Sequence, residues 1–432
     1  MNPACLGYLG ITSGLFLLAL PYALLYTKLT GRYRSSIAQR IGIYPPLNPL
    51  VSGSPRIWFH AVSMGEVNAA VPIIEAIREM TPRCAVILST ATEHGQELAK
   101  NRLPDDVTCI YAPVDFFLSA AFALRRIKPD LLVCLETELW PNWLMIAHQM
   151  GIKTAIVNGR ISERSGKRYM KIRPLMREVL KSMNIFSMIQ QSDAQRIQDI
   201  GAPPEKIQVN GNAKYDLLIR QSDSRIQPVI RRMFGINGNE PVFLAGSTRH
   251  SEEEIILDAY RNVIRSAPDT LLIIAPRHVE RSRHIEKFIT ERGLTCQLRT
   301  RLENNGANRT APVIIIDTMG ELQAAYSIAT VVFCGGSLAP LGGQNILEPA
   351  VWAKPVLYGP YMEDFLDARN LLESTGGGIA VKDGHDLAEK VLFFITRPDQ
   401  AEKTGNAARK AVEMNQGAAR KHAEAIYHLL RG

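Results

Sequence analysis

The sequence predicts an α/β protein built from two doubly wound domains behind one apolar N-terminal helix. Three observations carry that expectation. From residue 56 onward, short runs that are apolar at successive positions alternate with longer amphipathic stretches. The alternation restarts near residue 240, and residues 1–27 carry no charged side chain. A strand apolar on successive residues is buried on both faces, as in a parallel sheet covered by helices. The length of 432 residues suits two or three domains at roughly 100–200 residues each.

Residues 1–40 form the first element. The stretch 6–26 is about one bilayer crossing of mostly apolar side chains, Leu15, Phe16, Leu17 and Leu18 among them. Lys28, Arg32, Arg34 and Arg40 follow it with no acid between them. A cleaved signal peptide carries its positive charge before the apolar run. Charge placed after it reads as an uncleaved anchor with the body on the cytoplasmic side. A buried or interfacial helix is the other reading, since Gly10, Gly14 and Pro21 interrupt the run. The remaining composition, 46% hydrophobic and 21% charged with mean hydropathy of -0.04, excludes a disordered, collagen-like or multi-span chain. The net charge of +8 favours anionic partners without choosing among them. Six scattered cysteines show no metal spacing and are expected as reduced thiols.

The first domain, 41–220, carries apolar runs at 57–62, 85–89, 107–111, 131–135, 154–157 and 185–189. Between the first two, Ala70, Ile73, Ile74 and Ile77 mark one face of a helix over 67–80. Residues 221–240, rich in Ser, Asp, Gly, Asn and Pro, read as a linker. The second domain, 241–400, has runs at 242–245, 271–275, 313–316, 331–334 and 355–357, and a polar helical tail spans 401–432. Doubly wound sheets bind ligands beyond the carboxyl ends of their strands, so a cleft between the domains is the expected site.

The chemistry-bearing residues cluster at those strand ends. After the first run stand Ser63, Met64, Gly65 and Glu66, with Glu66 in the first turn of a helix. The positive helix end favours an ionised Glu66 able to accept a proton, or simply an acid offsetting the dipole. After the fourth run come Glu136, Glu138, Trp140, Pro141 and Asn142. Carboxylates two apart point the same way if the strand continues, and would share a proton or meet a cation or a polar substrate; a solvated loop is the plain alternative. Lys214, in the run 212–216, faces an anionic ligand or lies on the surface, and the pattern alone favours the surface.

The second domain offers three strand ends suited to a phosphorylated ligand. Gly246 to Arg249 leads into Glu252, Glu253 and Glu254, the composition of a helix start. Pro276 and Arg277 leave the next strand with a cation suited to bidentate contact. Gly335, Gly336 and Ser337, then Gly342 to Glu348, form a glycine-rich loop running into a helix whose free N–H groups make an anion site. No GxGxxG follows the first strand, and GxxxxGK[ST], Asp-x-Asp and G-x-S-x-G are absent, so dinucleotide, P-loop and metal–diphosphate readings lose support. Between Arg160 and Lys181 stand eight basic residues against Glu163 and Glu178, interleaved with Tyr169, Met170 and Ile172. That segment reads as contact with anionic lipid headgroups or as a solvated charged helix.

Taken in order, these motifs resemble the 3-deoxy-D-manno-octulosonic acid (Kdo) transferases of Gram-negative bacteria. The residues that carry the resemblance are His60-x-x-Ser63-x-Gly65-Glu66, Glu136-Thr-Glu138-Leu-Trp140-Pro141-Asn142, Gly211-Asn212-x-Lys214-x-Asp216, Ala275-Pro276-Arg277-His278, Met319-Gly320-Glu321-Leu322 and Asn345-Ile346-Leu347-Glu348. The resemblance implies a GT-B glycosyltransferase with two Rossmann-like domains and an N-terminal membrane anchor. It implies transfer of Kdo from CMP-Kdo to the glucosamine disaccharide of a lipid A precursor, with inversion and without metal or other cofactor. Glu66 would be the general base, and Glu136 and Lys214 transition-state stabilisers. CMP would meet Pro276, Arg277, Met319, Gly320, Glu321, Asn345, Ile346, Leu347 and Glu348. Retaining GT-B enzymes often carry a second Glu eight residues beyond the ribose-binding one, where this chain has Val356. Expected partners are the donor, the lipid acceptor and an anionic inner-membrane surface, not nucleic acid, because the aromatics do not interleave with the basic runs on a strand platform. Two rival readings are a UDP-sugar-dependent GT-B transferase of cell-wall synthesis and a non-catalytic lipid-binding module of the membrane surface.

Overall fold

A computed structural model describes every residue except 1–2, 32, 35, 46–52, 221, 237 and 303–308, so Arg32 of the basic flank lies outside the described residues. The chain divides into two compact units, Met1–Leu217 with Gln416–Gly432, and Leu218–Asn415.

The first unit holds a seven-stranded sheet of β1 (Arg56–His60), β2 (Ala85–Thr90), β3 (Thr108–Tyr111), β4 (Leu131–Leu135), β5 (Lys153–Gly159), β6 (Ile185–Met188) and β7 (Ile207–Val209). Its order is β3-β2-β1-β4-β5-β6-β7, with every neighbouring pair parallel. Successive side chains of the central strands feed opposite cores, which is why the runs are apolar throughout. Trp58, Leu132 and Ile156 join one buried cluster, while Ile57, Phe59, Val133 and Val157 join the other.

Helices α1 (Pro3–Thr30), α2 (Ile37–Arg40), α3 (Met64–Met80), α4 (Glu93–Arg102), α5 (Phe117–Ile127), α6 (Pro141–Gln149), α7 (Glu163–Lys171), α8 (Arg173–Ser182) and α9 (Gln191–Ile200) follow in chain order. α10 (Lys214–Arg220) then carries the chain out of the unit. α1 is long and apolar enough to cross a membrane. It is also docked on its own domain: Tyr8 donates to Asp115 Oδ2 at 2.8 Å, Asn142 donates to Thr12 Oγ1 at 3.3 Å, and Phe16 stacks on Phe116 at 4.1 Å. Leu6, Ile11, Leu15, Leu18 and Leu25 remain exposed.

The second unit repeats the plan with β8 (Val242–Thr248), β9 (Leu271–Pro276), β10 (Cys296–Leu298), β11 (Val313–Ile315), β12 (Val331–Cys334), β13 (Val356–Tyr358) and β14 (Gly378–Ala380), all parallel, in the order β10-β11-β9-β8-β12-β13-β14. Its helices are α11 (Gln227–Met233), α12 (Glu252–Ser266), α13 (Ser282–Glu291), α14 (Leu322–Ala325), α15 (Leu347–Ala350), α16 (Leu366–Thr375), α17 (Gly384–Thr396) and α18 (Pro398–Glu413). The described part of 221–240 is therefore partly helical, with a 3-10 turn at Ser224–Ile226 ahead of α11. The terminal helix α19 (Ala418–Arg431) belongs to the first unit and packs on α3. All six cysteines are free thiols.

In each sheet the chain reverses direction beside its first strand, between β1 and β4 and between β8 and β12. Ligands of doubly wound sheets bind at such switch points.

Candidate active site

The loop after β1 places Glu66 in the first turn of α3. Its carboxylate folds back on the helix start: Val62 N–H donates to Oε2 at 2.7 Å and Ser63 Oγ to Oε1 at 3.2 Å. Ser63 and Glu66 have capping-box spacing, but Ser63 makes no side-chain cap bond, and the acid ties down the residue before the N-cap instead. The carboxyl is not the readily ionised one that the positive helix end by itself would give. Burial pushes the Glu66 carboxyl up to about 8, and the charges of Glu138 and Glu136 add to the shift against the two hydrogen bonds. At neutral pH the group is mainly protonated, because desolvation outweighs the helix end.

The strand that would have aligned Glu136 with Glu138 stops at Leu135. Glu136 takes a left-handed backbone, with φ of 51°, which is costly for a residue with a side chain and clusters at functional sites. The two carboxylates therefore part. Glu136 Oε1 pairs with Lys214 Nζ at 2.5 Å, while Glu138 Oε2 accepts from Trp140 Nε1 at 2.6 Å. Burial raises the Glu138 carboxyl, the Trp140 bond opposes that, and Glu136 adds to it. Beneath them lies an aromatic stack. His60 meets Trp140 and Trp143 at 4.7 Å each, and Trp143 meets Trp58 at 4.9 Å. Burial lowers the His60 imidazole to about 3, so it is neutral, with Nδ1 lying 3.0 Å from Ser89 Oγ.

Lys214 is not the surface lysine its pattern favoured. Besides its pair with Glu136, its Nζ lies so close to the helix start that a Cβ on Gly65 would stand 3.8 Å away. The loop bearing it is pinned from behind. Buried Asn158, itself left-handed, accepts from Ala213 N–H at 2.8 Å. From α19, His422 Nε2 donates to Gly211 O at 3.0 Å, which leaves Nδ1 to accept from Ser187 Oγ at 2.6 Å. Asp216 accepts from Gly417 and Ala419 N–H groups, both at 2.7 Å. Glu66, Glu136, Glu138 and Lys214 thus gather at the β1/β4 switch point, with Asn158 and His422 as supports. The motif reading did not include these two. Their only sequence signal is a polar residue at the end of a strand and a histidine on a tail helix.

In the second unit, the glycine-rich loop is partly closed by the protein itself. The fully buried Glu252 carboxylate accepts from the N–H groups of Gly336 (2.6 Å), Ser337 (2.8 Å), Leu338 (2.7 Å) and Arg249 (3.1 Å). The N–H groups at 336–338 are therefore taken up by an internal carboxylate, whereas the anion site expected from the sequence belongs to the helix start further on, at 342–348. Gly343 N–H is also engaged, by Gly336 O at 2.7 Å, and both Gly342 and Gly343 are left-handed at φ of 83° and 84°.

Around this loop, Pro276 ends β9 and Arg277 is exposed, its N–H donating to Thr248 O at 3.0 Å. Asn345 Nδ2 donates to Glu348 Oε1 at 3.2 Å. Burial raises the Glu348 carboxyl, while Asn345 and the nearby Arg277 charge oppose that shift. Ile346 and Leu347 bury their side chains, so only their backbone is offered to a ligand. Met319 is exposed, Gly320 is left-handed at φ of 89°, and Glu321 holds the buried Arg299 at 3.1 Å. The Glu321 carboxylate is thereby engaged, and its turn presents backbone instead.

Two Rossmann-like domains with polar clusters at their switch points define the GT-B class. The UDP-GlcNAc 2-epimerase of Neisseria meningitidis, solved bound to UDP-GlcNAc, has the same fold at a TM-score of 0.60 and 14% identity, over 87% of this chain and 99% of that one. A family model described as 3-deoxy-D-manno-octulosonic-acid transferase (kdotransferase) matches residues 35–217. The 3-deoxy-D-manno-octulosonic acid transferase of Haemophilus influenzae is 32% identical over 90% of each chain. A probable mitochondrial transferase of the same description from Arabidopsis thaliana is 30% identical over 83% of this chain and 81% of its own. The chain belongs to the Kdo transferase family and is a glycosyltransferase.

Proposed function

We propose that the chain transfers Kdo from CMP-Kdo to the glucosamine disaccharide of a lipid A precursor, without metal and with inversion. The gathering of Glu66, Glu136, Glu138 and Lys214 at one switch point carries this reading. The first unit works on the acceptor, with 41–220 as its domain, and 241–400 holds the nucleotide. The acceptor hydroxyl oxygen attacks the anomeric carbon of Kdo as Glu66 takes its proton, and the bond to phosphate breaks from the opposite side, CMP leaving with the electron pair. A base with a pKa near 8 is well matched to neutral conditions. Lys214, held by Glu136, offsets negative charge on the donor as it departs. Arg277 and the backbone at 319–321 and 344–347 hold CMP, and Glu348 accepts from the ribose hydroxyls. Val356, in the position of the second Glu of retaining relatives, lies buried in β13 and accords with inversion.

The N-terminal region supports a location at the cytoplasmic face of the inner membrane. α1 is tied to its domain from Tyr8 through Phe16, and Thr27 near its other end is also buried, while Leu6, Ile11, Leu15, Leu18 and Leu25 stay exposed for contact with lipid. The basic side chains of α7 and α8 are exposed together with Met170 and Ile172, the composition of a surface that meets anionic headgroups.

Two results check this reading. CMP raises the thermal midpoint of the purified chain and UDP does not; Arg277→Ala weakens CMP binding by about 1.5–3 kcal/mol, roughly tenfold to a hundredfold in Kd by titration calorimetry. A UDP-selective shift would instead establish the cell-wall alternative. The second result concerns pH. If Glu66 must be ionised, kcat/KM climbs on its acidic limb up to about pH 8. Removing a neighbouring negative charge lowers the Glu66 pKa, so Glu138→Gln moves that limb to lower pH. An unmoved limb in Glu138→Gln would separate the titration from this pair.

A further inference from the structure

We propose that the groove between α1 and the body of the first unit binds an acyl chain of the lipid acceptor, an inference that rests on the acceptor reading above. The groove has a volume of about 450 Å³, within the range of small-ligand clefts, and its lining is mainly aliphatic and aromatic, with Thr27 and the hydroxyls of Tyr22, Tyr26 and Tyr33 besides one cation. Ala19 and Ala23 of α1 leave the space open on one wall, while Ile41 and Val114 line the other. The one charged lining residue among the described residues, Arg40, is held by Ala91 O at 2.7 Å and Ser36 Oγ at 3.1 Å, with the rings of Tyr33 and Tyr111 each 5.2 Å from its guanidinium. A mainly apolar trough with one fixed cation suits an amphiphile with a hydrocarbon chain and an acidic head.

Its position selects the occupant. The N–H groups of Ala91 and Thr92 donate to Val62 O at 3.1 and 3.2 Å, and the Val62 N–H in turn holds the Glu66 carboxylate at 2.7 Å. The groove wall is thus one residue removed from the loop that fixes the proposed base. A chain lying there brings the head of its own molecule to Glu66. Bulk membrane lipid needs no such register, and Leu6, Ile11 and Leu18 on the outer side of α1 already offer it a surface.

Filling the groove tests this in the full-length enzyme. The readout is the ratio of kcat/KM for a tetra-acylated disaccharide acceptor to that for the deacylated disaccharide phosphate, with CMP-Kdo as donor. Ala23→Trp, and the milder Ala19→Leu, should lower that ratio roughly tenfold or more, about the worth of two buried methylenes. Binding to phosphatidylglycerol vesicles is measured alongside and is expected to stay as in the wild type. An unchanged ratio in both variants would overturn the proposal. Loss of vesicle binding at an unchanged ratio would also overturn it and make the groove a membrane seat. Failure of the wild type to use either acceptor would strike the acceptor reading itself, a result distinct from both.

Discussion

Glu66→Gln lowers Kdo transfer by about 10²–10⁴-fold, the usual worth of a positioned general base, while CMP affinity stays at the wild-type value. The glutamine keeps an oxygen for the Val62 N–H, so the helix start survives. Only the basicity is lost. The expected separation follows from placement: Glu66 belongs to the first unit, and every group assigned to CMP belongs to the second. Quenched-flow turnover with saturating donor, paired with calorimetric CMP binding, reads both quantities. A variant that turned over within a few-fold of wild type would remove Glu66 from the chemistry and leave it as a tie between α3 and the loop at Val62.

Lys214→Ala has the second largest effect, and it acts in two ways. It removes a cation expected to offset developing charge, which is worth about 10²–10³-fold in kcat. It also leaves the Glu136 carboxylate, 16% exposed, without its partner. Stripping one member from a buried pair is destabilising, though here the exposure of Lys214 moderates the loss through solvent screening. The two consequences can be separated. Adding Glu136→Gln to Lys214→Ala should restore the thermal midpoint without restoring kcat, because it removes the stranded charge and not the missing cation. Recovery of turnover in the double variant would reduce Lys214 to a structural partner of Glu136.

Most of the fold was legible because buried parallel strands announce themselves as unbroken apolar runs. The three strands without such a run, β7, β10 and β14, are each three residues long and sit at sheet edges. An edge strand is covered on fewer sides, so Gln208 and Gln297 are as acceptable there as valine, and no apolar run forms. The site was legible at the same coarse level: charged residues that follow a buried strand must stand at its carboxyl end. What they do there depends on neighbours far away in sequence. Glu252 looked like an acid in a helical first turn, yet it reaches across to fill the glycine loop some 84 residues on. The protonation of Glu66 depends on burial and on Glu138, and neither can be read from the helix dipole that suggested a carboxylate. Lys214 looked exposed because the partner that draws it inward, Glu136, lies on another strand end.

The most direct test incubates the purified chain with CMP-Kdo and the tetra-acylated lipid A precursor and weighs the lipid product by mass spectrometry. The predicted result is a lipid heavier by whole Kdo units with CMP released in equal number, and about 10²–10⁴-fold slower formation of that lipid when Glu66→Gln replaces the wild type. An unaltered lipid with the wild type, or a Kdo-bearing lipid formed by Glu66→Gln at the wild-type rate, would contradict the assignment of Glu66 as the base of a Kdo transferase.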